Sequence, residues 1–365
     1  MSSAAIIGIV ITITMVILGF CFKKNRIVSM LQLLWIFVLM ALNTGGGDFV
    51  GNQATFELSE PGYNGLFSVD LYRNICYFFR TNGFDFIAMN VILCTLSIAA
   101  TYYVVRKNTK NRNAVLSLFM IFPMFDLIMQ KRAFYAMPLV LFAMDYLLSD
   151  KDTKKRYILS TFLVFIASQI HSSYFFFFVI IALNFIKEKV LGEKRYRKTI
   201  IALIVGSLLL IPVVPSIFAG YFSVERIELY FSGSNISTTS ALAWITIHIG
   251  FVVFQKLLMK RKEEKDISLF DKNVYSMNIG TLLLLPLYFF ESAFFRVFKT
   301  ILIFNYASAA NRLGQKGVSK KPFLLFLVYI LILFGVVYMW TGHGFDVLIT
   351  PLFDNNMLIG NAIGG

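Results

Sequence analysis

Charge is scarce in this sequence, and so is cysteine. Asp, Glu, Lys and Arg make up 15% of the 365 residues, where a soluble globular chain carries about 25%. Apolar residues reach 58% and aromatics 16%. Water cannot solvate such an excess, so the bilayer is the expected solvent. The three cysteines, Cys21, Cys76 and Cys94, have no Cys-x-x-Cys spacing, which argues against a metal knuckle and for apolar fillers. HExxH, GxSxG and Walker A motifs are missing, and with them any sign of peptide hydrolysis, ATP hydrolysis or cytosolic nucleotide-sugar chemistry. There is no solenoid-type repeat. A signal peptide would carry its positive charges before the apolar run. Here Lys23, Lys24 and Arg26 follow it, so 1–22 reads as a retained first helix with its N-terminus outside.

What the chain has is apolar runs. They fall near 5–22, 27–43, 84–105, 114–129, 134–148, 157–170, 173–186, 199–218, 241–259, 274–290, 297–311 and 323–340. A helical span needs about 20 apolar residues, so a dozen with short loops use nearly the whole length. The expectation is an all-α polytopic membrane protein of about 12 transmembrane helices, one integral domain over 1–365. The runs at 114–129 and 134–148 are short, and Pro123 and Pro138 suggest a hairpin that bends inside the membrane. The longer intervening segments are 44–83, 219–240 and 341–365.

The net charge is +14, and its placement is regular. Of the 34 Lys and Arg, 27 lie in 23–26, 106–112, 151–156, 187–198, 256–272 and 312–321. These are alternate loops with no helix skipped, so the positive-inside rule makes them cytoplasmic and puts 44–83 and 219–240 outside. The same distribution explains the basic charge without nucleic acid, for which no groove-reading motif is present.

Polar residues gather at the ends of the runs opposite the basic loops. Gly45-Gly46-Gly47-Asp48 allows a sharp turn and reads either as a carboxylate held at the membrane surface or as a helix cap followed by a solvated Asp. In 66–80, residues 67, 71, 75, 78 and 79 are apolar at helical spacing, with Asp70 and Arg73 on the other side. That pattern suggests a helix lying in the interface, bland or lining a substrate mouth. Lys131-Arg132 stands where cations are few. Arg132 presents a planar fork suited to phosphate, and the alternative is a pair that snorkels to headgroups. His171 ends an apolar run, as a base or donor or as a structural helix end. Arg296 follows Glu291 and has either that carboxylate or a phosphate as partner. His248, within a run, reads as a buried packing group. The outer carboxylates show no metal-ligand spacing, so neither metal nor cofactor is expected.

At these residues the sequence resembles the EpsG/Wzy-type polymerases of bacterial exopolysaccharide and capsule. The matching pieces are Gly46-Gly47-Asp48-Phe49, the stretch from Glu60 through Gly62-Tyr63 to Phe67, Arg132-Ala133-Phe134-Tyr135-Ala136, His171-Ser172-Ser173 and Phe295-Arg296. Ala133 stands where the family usually has Gln, and Leu42-Asn43 where an Arg often precedes the turn. The tyrosine usual after the Asp is missing, with Gln53 and Phe56 nearby. The resemblance implies a GT-C-like helical outline and polymerisation of lipid-linked repeat units on the outer leaflet of the bacterial cytoplasmic membrane. The substrate would be a polyprenyl-pyrophosphate-linked oligosaccharide, with a flippase and a chain-length regulator as neighbours. It casts Arg132 and Arg296 as holders of the pyrophosphate, His171 or Asp48 as base, and Glu60, Tyr63 and Arg73 as substrate contacts. A flippase of the same lipid-linked unit and an O-acetyltransferase are the competing readings. A flippase should carry charge along a central path, and among the helix interiors only Asp145 stands out.

Overall fold

The computed structural model describes residues 2–45, 47–60, 70–149, 153–210, 237–260, 267–291, 294–315, 317–340 and 344–360. Among these residues the protein is all-helical, with no strand and a single antiparallel bridge between Asn43 and Asn356. The helices are α1 (Ser3–Cys21), α2 (Arg26–Ala41), α3 (Gly47–Glu57), α4 (Leu71–Thr81), α5 (Phe86–Asn108), α6 (Arg112–Ile121), α7 (Met124–Met129), α8 (Lys131–Leu148), α9 (Thr153–Ile170), α10 (Phe177–Ile186), α11 (Gly192–Leu210), α12 (Thr238–Met259), α13 (Leu269–Thr281), α14 (Phe295–Gly314), α15 (Lys321–Phe334) and α16 (Thr350–Asp354). Short 3₁₀ turns at Ser172–Phe176 and Leu282–Phe289 precede α10 and extend α13. Local chemistry sets several starts: Asn25, Asp70, Asp85, Ser237 and Ser268 each cap the following helix by accepting a first-turn N–H.

Each apolar run is largely helical over its described residues, the run 114–129 being broken at Phe122-Pro123. Among the described residues four helices are long and apolar enough to cross a membrane: Ser3–Cys21, Phe86–Asn108, Thr238–Met259 and Lys321–Met339. Helix α6 is apolar but only 10 residues long. Helices α8 and α14 bury most positions, so they face protein rather than lipid and tolerate polar residues that have internal partners. Helix α14 is central, packing against α5, α6, α8, α12, α13 and α15. The bend between α6 and α7 falls at Pro123, and Tyr306 of α14 donates to the freed Phe122 carbonyl at 2.7 Å. Pro138 lies within α8 instead of ending it.

Helix α1 shows the opposite, lipid-exposed pattern. It exposes Ile6, Ile7, Val10, Ile13 and Ile17 and buries Ala4, Gly8, Thr12 and Gly19. Small residues let helices approach closely in lipid. A Cβ on Gly8 would sit 2.1 Å from the Phe353 ring, and one on Gly19 2.7 Å from the Asn113 carbonyl.

Hydrogen bonds tie the basic segments into one end of the molecule. Arg112 donates to the Lys24 carbonyl at 2.8 Å, Asn311 to the Asn108 carbonyl at 3.0 Å and Arg312 to the Lys260 carbonyl at 2.9 Å. Asp145 pairs with Lys107 and accepts from Asn108, while Arg156 pairs with Glu188. Asp145 is thus a basic-end residue, not part of a central path. The opposite end is closed by the C-terminal segment. The Asn43 amide donates to the Leu352 carbonyl at 2.7 Å, and the Asn356 amide to the Val38 carbonyl at 2.8 Å. Residues 344–360 are therefore docked, with Leu352, Phe353, Asn356 and Ile359 buried.

Candidate anion site at the end opposite the basic segments

Three chain breaks set out this site. Helix α9 stops at Ile170, and His171 turns extended before the 3₁₀ turn. The His171 N–H still reaches the Ala167 carbonyl at 2.9 Å, and its own carbonyl accepts from the Tyr174 N–H at 3.0 Å. Helix α8 restarts after Gln130, which makes Arg132 its second residue. Helix α14 starts at Phe295, which makes Arg296 its second. Each arginine thus sits in the first turn of a long helix, where unpaired N–H groups and the helix dipole favour an anion.

Tyr174 fastens the three together. It is fully buried, and its hydroxyl donates to the carbonyl of Ala133, next to Arg132, at 2.8 Å. The same hydroxyl accepts from Thr300 at 3.0 Å, and Thr300 also reaches the Arg296 carbonyl at 3.1 Å. The His171 ring meets the Tyr174 ring edge-on, 5.2 Å between centroids. Arg132 lies over the ring of Tyr72, 5.3 Å from guanidinium carbon to centroid, and Tyr72 stacks on Tyr135.

The electrostatics follow from this arrangement. Burial first, then the positive charges of Arg296 and Arg132, push the His171 pKa down to about 3. The imidazole is neutral at pH 7 and can accept a proton. Its Nε2 is enclosed with no hydrogen-bond partner among the described residues, as are Gln130 Oε1 and Ser173 Oγ. Such atoms are costly to leave unpaired. Neither the Arg132 nor the Arg296 guanidinium forms an ion pair among the described residues, whereas neighbouring Lys299 pairs with Asp126.

The other sequence candidates are placed as follows. Asp48 is exposed in the first turn of α3. Glu60 is exposed at the end of its described segment, and Tyr63 lies outside the described residues. Arg73 is exposed on α4, its backbone N–H bound to the Asp70 cap at 3.1 Å. One expectation needs correction. Lys131 does not snorkel: it is 1% exposed and donates to the Met40 carbonyl at the end of α2, where a cation suits the helix terminus. Helix α4 turns Tyr72 and Cys76 into the protein and leaves Phe78 exposed. His248 is a packing group as expected, with Nδ1 2.8 Å from the Tyr288 hydroxyl and Nε2 3.0 Å from Thr281.

Sequence reasoning missed Tyr174, Thr300 and Gln130. Nothing in their spacing marks them, because their roles are contacts between distant helices. Ser173 had a signal, as the serine of His171-Ser172-Ser173.

The EpsG family model matches residues 26–351. The chain belongs to the EpsG family. That match takes in Asp48, Arg132, His171 and Arg296, and membership makes the chain a membrane protein of the polysaccharide-polymerase type. No curated protein and no solved structure matches it.

Proposed function

We propose that the protein polymerises lipid-linked oligosaccharide repeat units, moving a growing glycan from a polyprenyl pyrophosphate onto a new repeat unit. The observation that carries this reading is the pair of arginines, each in a helix first turn and without an ion-pair partner among the described residues, around the neutral Nε2 of His171, which has no hydrogen-bond partner among them either. In this reading the site faces outward from the bacterial cytoplasmic membrane, with the basic end in the cytoplasm. A GT-C-like outline of about twelve spans, with α4 lying in the outer interface, belongs to the same proposal.

The step balances without a cofactor. An acceptor hydroxyl gives its proton to His171 Nε2, or to Asp48 in the alternative, as its oxygen bonds to the anomeric carbon of the donor sugar. The bond from that carbon to the pyrophosphate oxygen breaks, and the oxygen keeps the electron pair. Arg132 and Arg296 stabilise the charge that develops there. A histidine held near pKa 3 is a weak base. A bound pyrophosphate offsets the two guanidiniums and raises the pKa toward the range where general bases work best. Glu60, Tyr63 and Arg73 are proposed contacts to the remainder of the substrate. The isoprenoid tail would lie in the apolar groove of about 520 Å³ lined by Tyr157, Phe162, Phe165 and Phe178, along the helix that leads to His171.

The buried Lys299–Asp126 pair favours a second reading, a flippase for the same lipid-linked unit, because ionisable groups inside helices mark transport paths. Purified protein in detergent, with lipid-linked repeat units and no second compartment, separates the two. A polymerase lengthens glycans there, and a flippase has nothing to do. Absence of elongation by well-folded protein on its own substrate would sink the polymerase reading.

A further inference from the structure

A second cavity lies at the same end of the molecule, apart from the arginines. It has a volume of about 540 Å³, within the range of small-molecule sites, and sits between α3, the end of α4 and the start of α5. Its apolar wall includes Phe49 in the first turn of α3, packed edge-on against Phe86. Its polar wall is formed by Thr44, Gln53, Glu57, Arg80 and Asp85.

The hydrogen-bonding capacity of that wall is weighted toward acceptors. Arg80 is anchored by bonds to the Glu57 and Ser59 carbonyls. One Gln53 amide N–H goes to Glu57 Oε1 at 2.9 Å, which leaves its second N–H and the amide oxygen. The Thr44 hydroxyl donates to the Asn355 carbonyl at 2.7 Å and keeps its lone pairs. Asp85 uses Oδ1 to cap α5 at 2.7 Å, which leaves Oδ2. What remains is chiefly acceptors, with a few N–H donors of Gln53 and Arg80, beside an aromatic face, and two carboxylates stand against one guanidinium. A pyrophosphate would be repelled there. No group of three metal-ligating side chains occurs among the described residues. A ligand rich in O–H donors with an apolar ring face fits, which is the chemistry of a neutral sugar.

We propose that this cavity is a glycan subsite that holds neutral sugar residues of the substrate while the arginine site holds the pyrophosphate. The proposal rests on the polymerase reading for its substrate and adds a second location. Helix α4 connects the two: Tyr72 lies under Arg132, and Arg80, eight residues on, lies in the cavity wall. At 1.5 Å per residue they are about 12 Å apart along the helix, a span a short oligosaccharide bridges.

The test uses the full-length protein in detergent. Its probe is the set of neutral oligosaccharides released by mild acid from the host bacterium's own exopolysaccharide, with inorganic pyrophosphate as the second ligand. Binding is read by titration calorimetry. A Glu57→Gln/Asp85→Asn double variant keeps the α5 cap, since Asn also caps. It should weaken oligosaccharide binding about ten- to a hundredfold and leave pyrophosphate affinity unchanged. Gln53→Leu should weaken the oligosaccharide in the same direction. Oligosaccharide binding indifferent to both variants, or absent from wild type, overturns the subsite. Elongation by wild type alongside indifferent binding discards the subsite and keeps the polymerase. No elongation alongside binding that depends on Glu57 and Asp85 keeps the sugar site and discards the polymerase.

Discussion

Adjacent cations at the start of α8 are predicted to fail in opposite ways. Lys131 is 1% exposed and holds the Met40 carbonyl. Lys131→Ala leaves that acceptor without its donor, at about 1–3 kcal/mol, and opens a cavity where the stem was. Large-to-small buried substitutions cost about 2–5 kcal/mol in all. Arg132 is exposed, and its one described side-chain contact, over Tyr72, contributes no more than about 1 kcal/mol at such a site. Arg132→Ala should therefore melt close to wild type. Its loss appears in binding: a charge-assisted hydrogen bond to a desolvated anion contributes about 1.5–3 kcal/mol, which is roughly ten- to a hundredfold in affinity. Arg132→Lys should recover only part, because an ammonium lacks the planar fork. Thermal unfolding in detergent and calorimetric titration with inorganic pyrophosphate read the two quantities on the same preparations. Lys131→Ala should melt far earlier yet bind pyrophosphate nearly normally below its transition. The inverse pattern, with Lys131 needed for binding and Arg132 for folding, would refute it.

Other outcomes follow from the same geometry. Tyr174→Phe removes the hydroxyl shared by Ala133 and Thr300 and should cost about 1–2 kcal/mol of stability while lowering the elongation rate more than it alters substrate affinity. With ¹⁵N-histidine labelling, the His171 resonance should titrate near pH 3 and move upward in Arg296→Gln or with pyrophosphate bound; a value near 6.5 in the free protein would contradict the enclosure of its ring. Because the folded pKa is depressed, the contribution of neutral His171 to stability is complete above about pH 6.5 and is lost as pH falls toward 3. Gly8→Leu should disrupt packing of α1 against Phe353, seen as a lower melting temperature, whereas Val10→Leu on the exposed face of the same helix should be silent. A single cysteine placed in 187–198 should resist an impermeant thiol reagent added to intact cells, and labelling there would overturn the orientation.

Much of the architecture could be read from the sequence because two strong signals agree. Apolar runs mark the helices, and alternation of Lys and Arg sorts their ends. The hydrogen bonds joining 24 to 112, 108 to 311 and 260 to 312 bring those basic segments together, as the charge pattern requires. The site was legible only in part. Arg132, His171 and Arg296 stand out because ionisable residues at helix ends are rare in such a chain. Which way a side chain points depends on neighbours the sequence does not name. Lys131 and Arg132 differ by one position, about 100° around a helix of 3.6 residues per turn, and that rotation sends one into the protein and leaves the other exposed. Tyr174 and Thr300 were invisible because their partners lie 41 and 126 residues away. The protein-facing side of α4, Tyr72 and Cys76, was not legible because a stripe of apolar residues marks lipid as readily as core when the solvent is a bilayer.

If Arg132, Arg296 and His171 seat a lipid pyrophosphate, a structure of the protein in a lipid nanodisc with polyprenyl pyrophosphate bound will show it. Phosphate oxygens should lie within hydrogen-bond distance, about 2.7–3.2 Å, of both guanidiniums, with His171 Nε2 facing the sugar-bearing end. A headgroup seated among the basic segments 106–112 and 187–198, with Arg132 and Arg296 empty, would contradict it.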